Sequence, residues 1–241
     1  TRSMVALKRE DGTLWKDQGG YYWLDPASRE VWDYTLNLSK HAVDVGFDEV
    51  QLDYVRFPSE GTLDKISYPF YGGVTPKTKV ITDFMKYFHN GMKLHSPRTM
   101  LSADIFGYTF LRGNDNGIGQ RLADLLPYFD FISPMVYPSH YKTGNFGFDN
   151  PAAHPYEVVL GTLEGGIEIL KKQIKPLIVS TPLEVPSSSS TPFPTIAPVP
   201  LQYDCAFLGL DGETCEIQDF RKKVRPWLQD FDLGAIYDAD L

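Results

Sequence analysis

Within the segment 47–58, residues 49–54 alternate between polar and apolar side chains with a period of two. The polar face carries Glu49, Gln51 and Asp53, and the apolar face carries Val50, Leu52 and Tyr54. Side chains of a β-strand point alternately to its two faces, so the pattern predicts a strand over about 49–57. Strands of an open parallel sheet are apolar on both faces. A polar row is instead typical of a barrel interior, and Asp53 would lie near the carboxyl end, where barrel enzymes place their chemistry.

Strands and helices are predicted to alternate along the whole chain. Further strands are predicted at 100–106, 131–137, 177–181 and 226–231, and helices at about 26–45, 76–95, 119–128, 155–172 and 216–223. Asp25 is the predicted N-cap of the first helix, with Pro26 as its first residue, and Gly46 is the predicted stop. Repeating strand–helix units predict an α/β fold with a parallel sheet.

The predicted strands are too few for a closed barrel. At 241 residues the chain approaches the roughly 250 residues of a (β/α)₈ TIM barrel, but only five strands are predicted. We therefore expect a single TIM-barrel-type domain over residues 1–241 that is incomplete, with its first strands and its last strand missing. Its sheet would have five to six strands and an exposed edge. Residues 182–215, first rich in Pro and Ser and then containing both cysteines, are predicted to be an insertion.

Composition and charge narrow the classes of partner. The net charge is −8, the pI is about 5.1 and there is no basic run, which argues against nucleic-acid binding. No stretch approaches the roughly 20 apolar residues of a membrane span, and no signal peptide is visible. Aromatic residues make up 14% of the chain, which favours a carbohydrate partner only slightly, because such rings also fill cores. We expect neither a cofactor nor a bound metal.

Two aspartates are predicted to meet at the carboxyl ends of neighbouring strands. Asp104 shares a face with Ser102 on the strand that follows Asp53, and consecutive parallel strands are usually neighbours. Glycoside hydrolysis uses such a pair: one carboxyl protonates the leaving oxygen, and the other attacks the anomeric carbon or activates water. Repulsion and burial would raise the pKa of one of them and supply the acid. The alternative is that both acids only pair with Arg56 or other buried donors.

Other residues near these strand ends are candidates for substrate binding. Arg56 could orient a carboxylate or bind substrate through its planar guanidinium, or it could form an ordinary ion pair at the barrel rim. His140 lies between Tyr137 and Tyr141 after the third strand. This cluster is suited to binding a sugar or handling a proton, although a lone histidine is usually structural.

Two pairs of residues stand out near the end of the chain. Trp227 and Gln229 share a face of the last predicted strand and are predicted to line the same cavity, with core packing as the alternative for Trp227. Cys205 and Cys215 are either unpaired thiols or partners in a local disulfide. We expect the disulfide, because turn-forming residues surround both cysteines. A metal site there is disfavoured, since no histidine or further cysteine lies nearby.

Five segments together resemble one known family. They are residues 46–58, 102–107, 117–120, 132–141 and 225–231, which read GFDEVQLDYVRFP, SADIFG, GIGQ, ISPMVYPSHY and RPWLQDF. In content and order they resemble bacterial glycoside hydrolases with a TIM-barrel fold that are distantly related to α-amylases. The resemblance extends over residues 15 to 241 and also implies that the first strands and the eighth are absent.

The resemblance implies an activity and a role for each aspartate. In α-amylase-like enzymes the nucleophile ends the fourth barrel strand and the acid/base ends the fifth, which correspond here to Asp53 and Asp104. Amylases use Glu as the acid, so Asp104 departs from that pattern. The implied function is hydrolysis of O-glycosidic bonds in a cell-envelope or extracellular polysaccharide or its oligosaccharides. The implied location is extracellular or in the cell envelope.

Two other functions compete with this one. A non-catalytic carbohydrate-binding barrel would share the fold, because a fold alone does not decide function. A metal-dependent polysaccharide deacetylase would need a cluster of His and Asp ligands, which His140 alone does not supply. Whether Asp53 and Asp104 face one open cleft distinguishes an enzyme from a binding module.

Overall fold

The computed structural model describes residues 3–173, 202–204 and 214–228. Its helices and strands are α1 (Arg29–Asp44), β1 (Glu49–Leu52), α2 (Lys77–His95), β2 (Met100–Phe106), α3 (Leu122–Leu125), β3 (Phe131–Val136), α4 (Pro155–Gln173), β4 (Gln202–Asp204), β5 (Thr214–Glu216) and β6 (Trp227–Leu228). Short 3₁₀ helices follow β2 and β3, at Gly107–Phe110 and Pro138–His140. The predicted α/β alternation is confirmed. No helix in these ranges is long and apolar enough to cross a membrane.

Four strands form one parallel sheet, in the order β1-β2-β3-β6. Leu52 pairs with Ala103 across the first two strands, and Asp104 pairs with Ser133 across the next two. The short strands β4 and β5 pair with each other in antiparallel fashion. We predicted five to six parallel strands, and the described residues contain four of them.

Some predictions concern residues outside the described ranges. They include the strand at 177–181, most of the insertion at 182–215, and Gln229. Cys205 and the side chain of Cys215 also lie outside them. The disulfide and the role of Gln229 therefore stay predictions.

The two faces of the parallel sheet have opposite character. Its outward side chains are buried in one hydrophobic core with residues of α1, α2, α3 and α4, and the sheet contributes Leu52, Leu101, Ala103, Ile105 and Ile132. The opposite face carries a row of polar side chains, namely Glu49, Gln51, Ser102, Asp104 and Ser133. A doubly wound sheet would be apolar on both faces. The arrangement is therefore compatible with part of a TIM-like barrel, in which the polar face would be the barrel interior.

The first helix begins later than predicted. Ser28, not Asp25, is the N-cap residue of α1. Asp25 is completely buried in the preceding loop, and its carboxylate accepts backbone N–H donors from Ala27 at 2.9 Å, Phe70 at 2.7 Å and Tyr71 at 3.0 Å. Asp25 thus joins the start of α1 to a loop distant in sequence, a function that its local N-cap pattern does not reveal.

Strand β1 is shorter than predicted and ends just before the candidate aspartate. It stops at Leu52, and Tyr54 has a φ of 56°, a left-handed conformation that breaks the strand alternation. Tyr54 was predicted on the apolar face of the strand, but its side chain is 62% exposed. At the other boundary the predicted stop is confirmed, because Gly46 follows α1 with a φ of 110°.

Residues 3–25 lie in front of α1 as a compact segment with turns. An isolated antiparallel bridge joins Ala6 to Leu24, and Trp15 is completely buried. The segment brings Trp23 next to Tyr54, with ring centroids 5.9 Å apart. It therefore adds aromatic surface at the end of β1.

Candidate active site

Asp104 is held on the polar face of the sheet by two donors. Asp104 is buried, with only 6% of its surface exposed. Gln51 Nε2 donates a hydrogen bond to Asp104 Oδ1 from β1, and Trp227 Nε1 donates to the same oxygen at 2.8 Å from β6. Side chains from two other strands therefore converge on one carboxylate oxygen.

The surroundings of Asp104 raise its pKa. Burial is the main cause, because it disfavours the charged form, and the charge of the nearby Asp53 acts in the same direction. The hydrogen bonds from Gln51 and Trp227 stabilise the carboxylate and partly offset the rise. Asp104 therefore keeps its proton to higher pH than an ordinary aspartate, which is what a general acid requires.

Asp53 lies beside Asp104 at the end of β1. The register pairs Leu52 with Ala103, so Asp53, the first residue after β1, follows at the level of Asp104 on β2, and its charge acts on Asp104. Asp53 is exposed, and its Oδ1 accepts a hydrogen bond from the backbone N–H of Tyr54 at 2.6 Å. One carboxylate of the pair is thus buried and the other is open to solvent. Different surroundings of this kind allow two aspartates to take different roles.

A second polar layer, formed around Glu49, lies deeper in the sheet. Ser102 Oγ donates to Glu49 Oε1 at 2.6 Å, and Arg225 Nη1 donates to both carboxylate oxygens, at 3.1 and 2.8 Å. Partial burial acts to raise the pKa of Glu49, but the bonds from Ser102 and Arg225 outweigh it and lower the pKa. This layer joins β1, β2 and the approach to β6 beneath the two aspartates.

Arg56 is buried among aromatic rings. Its guanidinium carbon lies 4.9 Å from the ring centroid of Trp23 and 5.0 Å from those of Tyr54 and Phe106. Nη1 donates to Ser59 Oγ at 3.0 Å. Burial lowers the pKa of the guanidinium, although it remains a cation at neutral pH. The ion pair considered for Arg56 at the barrel rim is not formed with any described residue.

Tyr137 and His140 follow β3 and lie at the same cavity. Their ring centroids are 5.4 Å apart. Burial raises the pKa of Tyr137, and the charges of Asp104 and Asp53 add to the effect. Tyr137 therefore lies within electrostatic reach of both aspartates, while the exposed His140 lies at the cavity surface.

Tyr141 lies deeper than the other two residues predicted after β3. It is 6% exposed, and its hydroxyl oxygen lies 3.1 Å from Thr162 Oγ1. Burial raises its pKa to about 12. A Cβ on Gly107 would come within 2.5 Å of this hydroxyl, so the close approach requires glycine. A direct substrate contact by Tyr141 stays a prediction.

Two cavities lie near the end of β1, and of the two aspartates only Asp53 lines one of them, the smaller cavity. The larger has a volume of about 480 Å³, and its lining includes Phe106, Tyr108, Tyr137 and His140. The smaller has a volume of about 300 Å³ and is lined in part by Asp53 and Trp23. Tyr54 and Arg56 line both cavities and so lie between them. In the described ranges, no group of three or more His, Cys, Asp or Glu side chains could share a metal ion.

A family model matches most of the chain. Residues 1–182 match the DUF4015 family, which is described as a "putative glycosyl hydrolase domain". The match extends over more than half of the chain. The chain belongs to this family. The description of the DUF4015 family indicates a glycosidase-like function and a carbohydrate substrate.

Two solved structures are similar to parts of this chain. A hypothetical protein from Ruminiclostridium thermocellum ATCC 27405 is 36% identical, over 42% of this chain and 47% of its own, with a TM-score of 0.34. The PgaB (BpsB) glycoside hydrolase domain from Bordetella bronchiseptica is 13% identical, over 67% of this chain and 51% of its own, with a TM-score of 0.44. The chain thus spans about half the length of each. A search of curated proteins gave no match.

The structure brings together most of the residues singled out from the DUF4015 sequence, and it adds others. Trp227, predicted to line the cavity, contacts Asp104 directly. Gln51 was predicted only as part of a polar layer, yet it also binds Asp104. Tyr54 and Trp23 were not predicted at the site. No sequence signal marked Trp23, whereas Tyr54 adjoins Asp53 and its placement follows from the left-handed turn.

Proposed function

We propose that this protein is a glycosidase that hydrolyses O-glycosidic bonds with Asp53 as nucleophile and Asp104 as acid/base. The observation that carries the proposal is the convergence of Gln51 and Trp227 on one oxygen of a buried aspartate that lies beside an exposed one. Membership of the DUF4015 family supports the reaction class. The position of the two aspartates on consecutive strands supports an α-amylase-like assignment of roles.

The hydrogen bonds of Asp104 indicate where its proton lies. Trp227 Nε1 can only donate a hydrogen bond, and Gln51 Nε2 also donates to the same oxygen, Oδ1. A proton on Oδ1 would conflict with both donors, so the acid proton of Asp104 belongs on Oδ2. Gln51 and Trp227 therefore position Asp104, because they hold its carboxyl in one orientation.

The reaction then follows two steps. Asp53 attacks the anomeric carbon as the glycosidic C–O bond breaks, and Asp104 gives its proton to the leaving oxygen. This step yields a glycosyl ester on Asp53 and an ionised Asp104. Asp104 next takes a proton from water as that water attacks the anomeric carbon, which releases the sugar and restores both carboxyls. The raised pKa of Asp104 supports its protonation in the first step.

We further propose that the substrate is a cell-envelope or extracellular polysaccharide and that the protein acts at that location. The family resemblance of the motifs around Asp53 and Asp104 supports this choice. The aromatic residues at the larger cavity support binding of sugar rings, because Tyr and Phe rings offer flat apolar surfaces for stacking.

The test is a screen of the full-length protein against a panel of polysaccharides, with product analysis by mass spectrometry. We expect reducing sugars from at least one polysaccharide and none from the Asp53→Asn variant, because the amide keeps the size of the side chain but not its nucleophilicity. Circular dichroism would confirm that the variant is folded. Near-normal turnover by Asp53→Asn would contradict the assignment. Binding without cleavage by the parent protein would favour a carbohydrate-binding module.

A further inference from the structure

The larger cavity is cationic although the chain as a whole is acidic. Its lining includes three permanent cations, Arg56, Arg112 and Lys142, and one carboxylate, Glu60. The net charge of the chain is −8. This excess of positive charge beside a pair of catalytic carboxylates points to a ligand that brings negative charge of its own.

Arg56 is the buried member of this set. Arg56 is 7% exposed, and it donates hydrogen bonds to neutral groups, Ser59 Oγ at 3.0 Å and the Phe57 carbonyl at 3.3 Å. The charges of Glu60 and Asp53 act on its guanidinium from a distance, but in the part of the chain that the structure describes no aspartate or glutamate forms a direct ion pair with it. Burying a cation without a directly bonded carboxylate is costly. An anionic ligand in the cavity would supply that direct partner.

Arg112 and Lys142 flank one aromatic side chain at the cavity rim. The Arg112 guanidinium lies 4.3 Å from the ring centroid of Tyr108, and the backbone N–H of Lys142 donates to the Tyr108 hydroxyl at 3.2 Å. Both residues are exposed, and neither forms an ion pair with a described carboxylate. The rim therefore presents two available cations around a ring that can stack on a sugar.

The cavity lies next to the reacting centre. Tyr137 lines it, and burial together with the charges of Asp104 and Asp53 raises the pKa of this tyrosine. A sugar in the cavity would thus occupy a position adjoining the bond that is cleaved. Glu60, also exposed on the lining, opposes an anion there, but it forms no ion pair with Arg56.

We propose that this cavity is a subsite for an acidic sugar, one that carries a carboxylate as a uronic acid does. The inference rests on the proposed glycosidase function and specifies its substrate class. A planar guanidinium matches a carboxylate through two parallel hydrogen bonds, which favours a carboxylate over other anions. Arg56 binds the carboxylate at the cavity floor, and Arg112 and Lys142 attract it from the rim.

The test measures binding and not turnover, so that its failure is distinct from failure of the glycosidase proposal. Full-length protein carrying Asp53→Asn is titrated by calorimetry with uronate-containing oligosaccharides and with the same oligosaccharides after reduction of their carboxyls to alcohols. We expect the acidic form of at least one pair to bind roughly 10- to 100-fold tighter. We also expect this preference to shrink as salt is raised.

Single substitutions show which residues cause the preference for acidic oligosaccharides. Arg112→Gln and Lys142→Gln should each reduce it several-fold, Arg56→Gln should abolish it, and Glu60→Gln should increase it. Arg98→Gln is the matched control, because Arg98 is an exposed cation just before β2, at the amino end of the sheet, and the preference should survive there. Because the two rim side chains are exposed, their variants remain informative even if Arg56→Gln does not fold.

Three results would overturn the proposal. The first is equal affinity for acidic and reduced oligosaccharides across the panel. The second is an unchanged preference in the Arg112→Gln and Lys142→Gln variants. The third is tight binding of sulfated oligosaccharides with none of the uronates, which would show an anion site of a different chemistry.

Discussion

The two faces of the parallel sheet are built from the same strands but have different roles. On the outer face, side chains such as Leu101 and Ile105 are completely buried against helices. On the inner face, the neighbouring Ser102 and Asp104 are also nearly inaccessible, but they join a network of hydrogen bonds that includes Gln51. Similar burial therefore has opposite consequences, because one face removes apolar surface from water and the other keeps polar groups in fixed positions.

A substitution should therefore have different effects on the two faces. A change on the outer face leaves a void in the core and lowers the free energy of unfolding without touching the chemistry. A change on the inner face alters the charge, pKa or orientation of a carboxylate and should be felt mainly in the rate. Single substitutions on each face test this division.

Asp104→Asn on the inner face should have the largest effect. We expect kcat/KM on natural polysaccharide to fall by about 10²- to 10⁴-fold, because the general acid is lost. The loss should be smaller for aryl glycosides with good leaving groups, which need little protonation. Comparing both substrates on the full-length protein checks the role. An equal loss on the two would argue that Asp104 does not protonate the leaving group.

Leu101→Ala on the outer face should act on stability instead. Leu101 is completely buried in the main core, so the truncation should lower the free energy of unfolding by roughly 2–5 kcal/mol. Urea denaturation of the full-length protein measures the loss. For the fraction that stays folded, kcat should match the parent. A kcat that falls well beyond the loss of folded protein would contradict the division between the faces.

Trp227→Phe removes only an N–H from the inner face. The bond from Trp227 lowers the pKa of Asp104, so its loss should raise that pKa further and shift the alkaline limb of the pH–rate profile to higher pH. We also expect kcat/KM at the optimum to fall by roughly tenfold, because one charge-assisted hydrogen bond no longer holds the carboxyl. An unmoved limb would show that Trp227 contributes packing alone.

Glu49→Gln in the deeper layer should have the smallest effect. Its pair with Arg225 is partly exposed, so we expect less than about 1 kcal/mol of stability from it, and less at high salt. The pKa of Glu49 is lowered on folding, so the stabilisation is present above its unfolded pKa and disappears as pH falls through the folded value. The difference from the parent in urea should therefore vanish in acid. A difference that persists there would point to packing.

Much of the fold could be predicted because its signals are local. The period of two in residues 49–52 and the polar row on one face predicted a barrel-type sheet, and helices α2 and α4 were predicted within about two residues of their ends. Asp25 was misread for the opposite reason. Its partners Phe70 and Tyr71 are distant in sequence, so an N-cap pattern could not identify them.

Only part of the site could be predicted, namely the part that follows from the alternation of side chains between the two faces of a strand. Parity and order brought Asp53 and Asp104 to the same end of neighbouring strands. The donors on Asp104 could not be predicted, because Trp227 reaches it from more than a hundred residues away and Gln51 resembles any inward polar residue. Which side chains reach Asp104 depends on how far the strands are staggered, and no local sequence pattern encodes that stagger.

The spacing of residue types along the chain accounts for the alternation of strands and helices, the polar inner face and the pair of aspartates, because each of these follows from local sequence. Tertiary packing is what buries Asp104 under two hydrogen-bond donors and leaves Asp53 exposed. It also decided that Arg56 lies among Trp23, Tyr54 and Phe106. Burial and pKa depend on what surrounds a group in space, and those neighbours come from segments far apart in the chain.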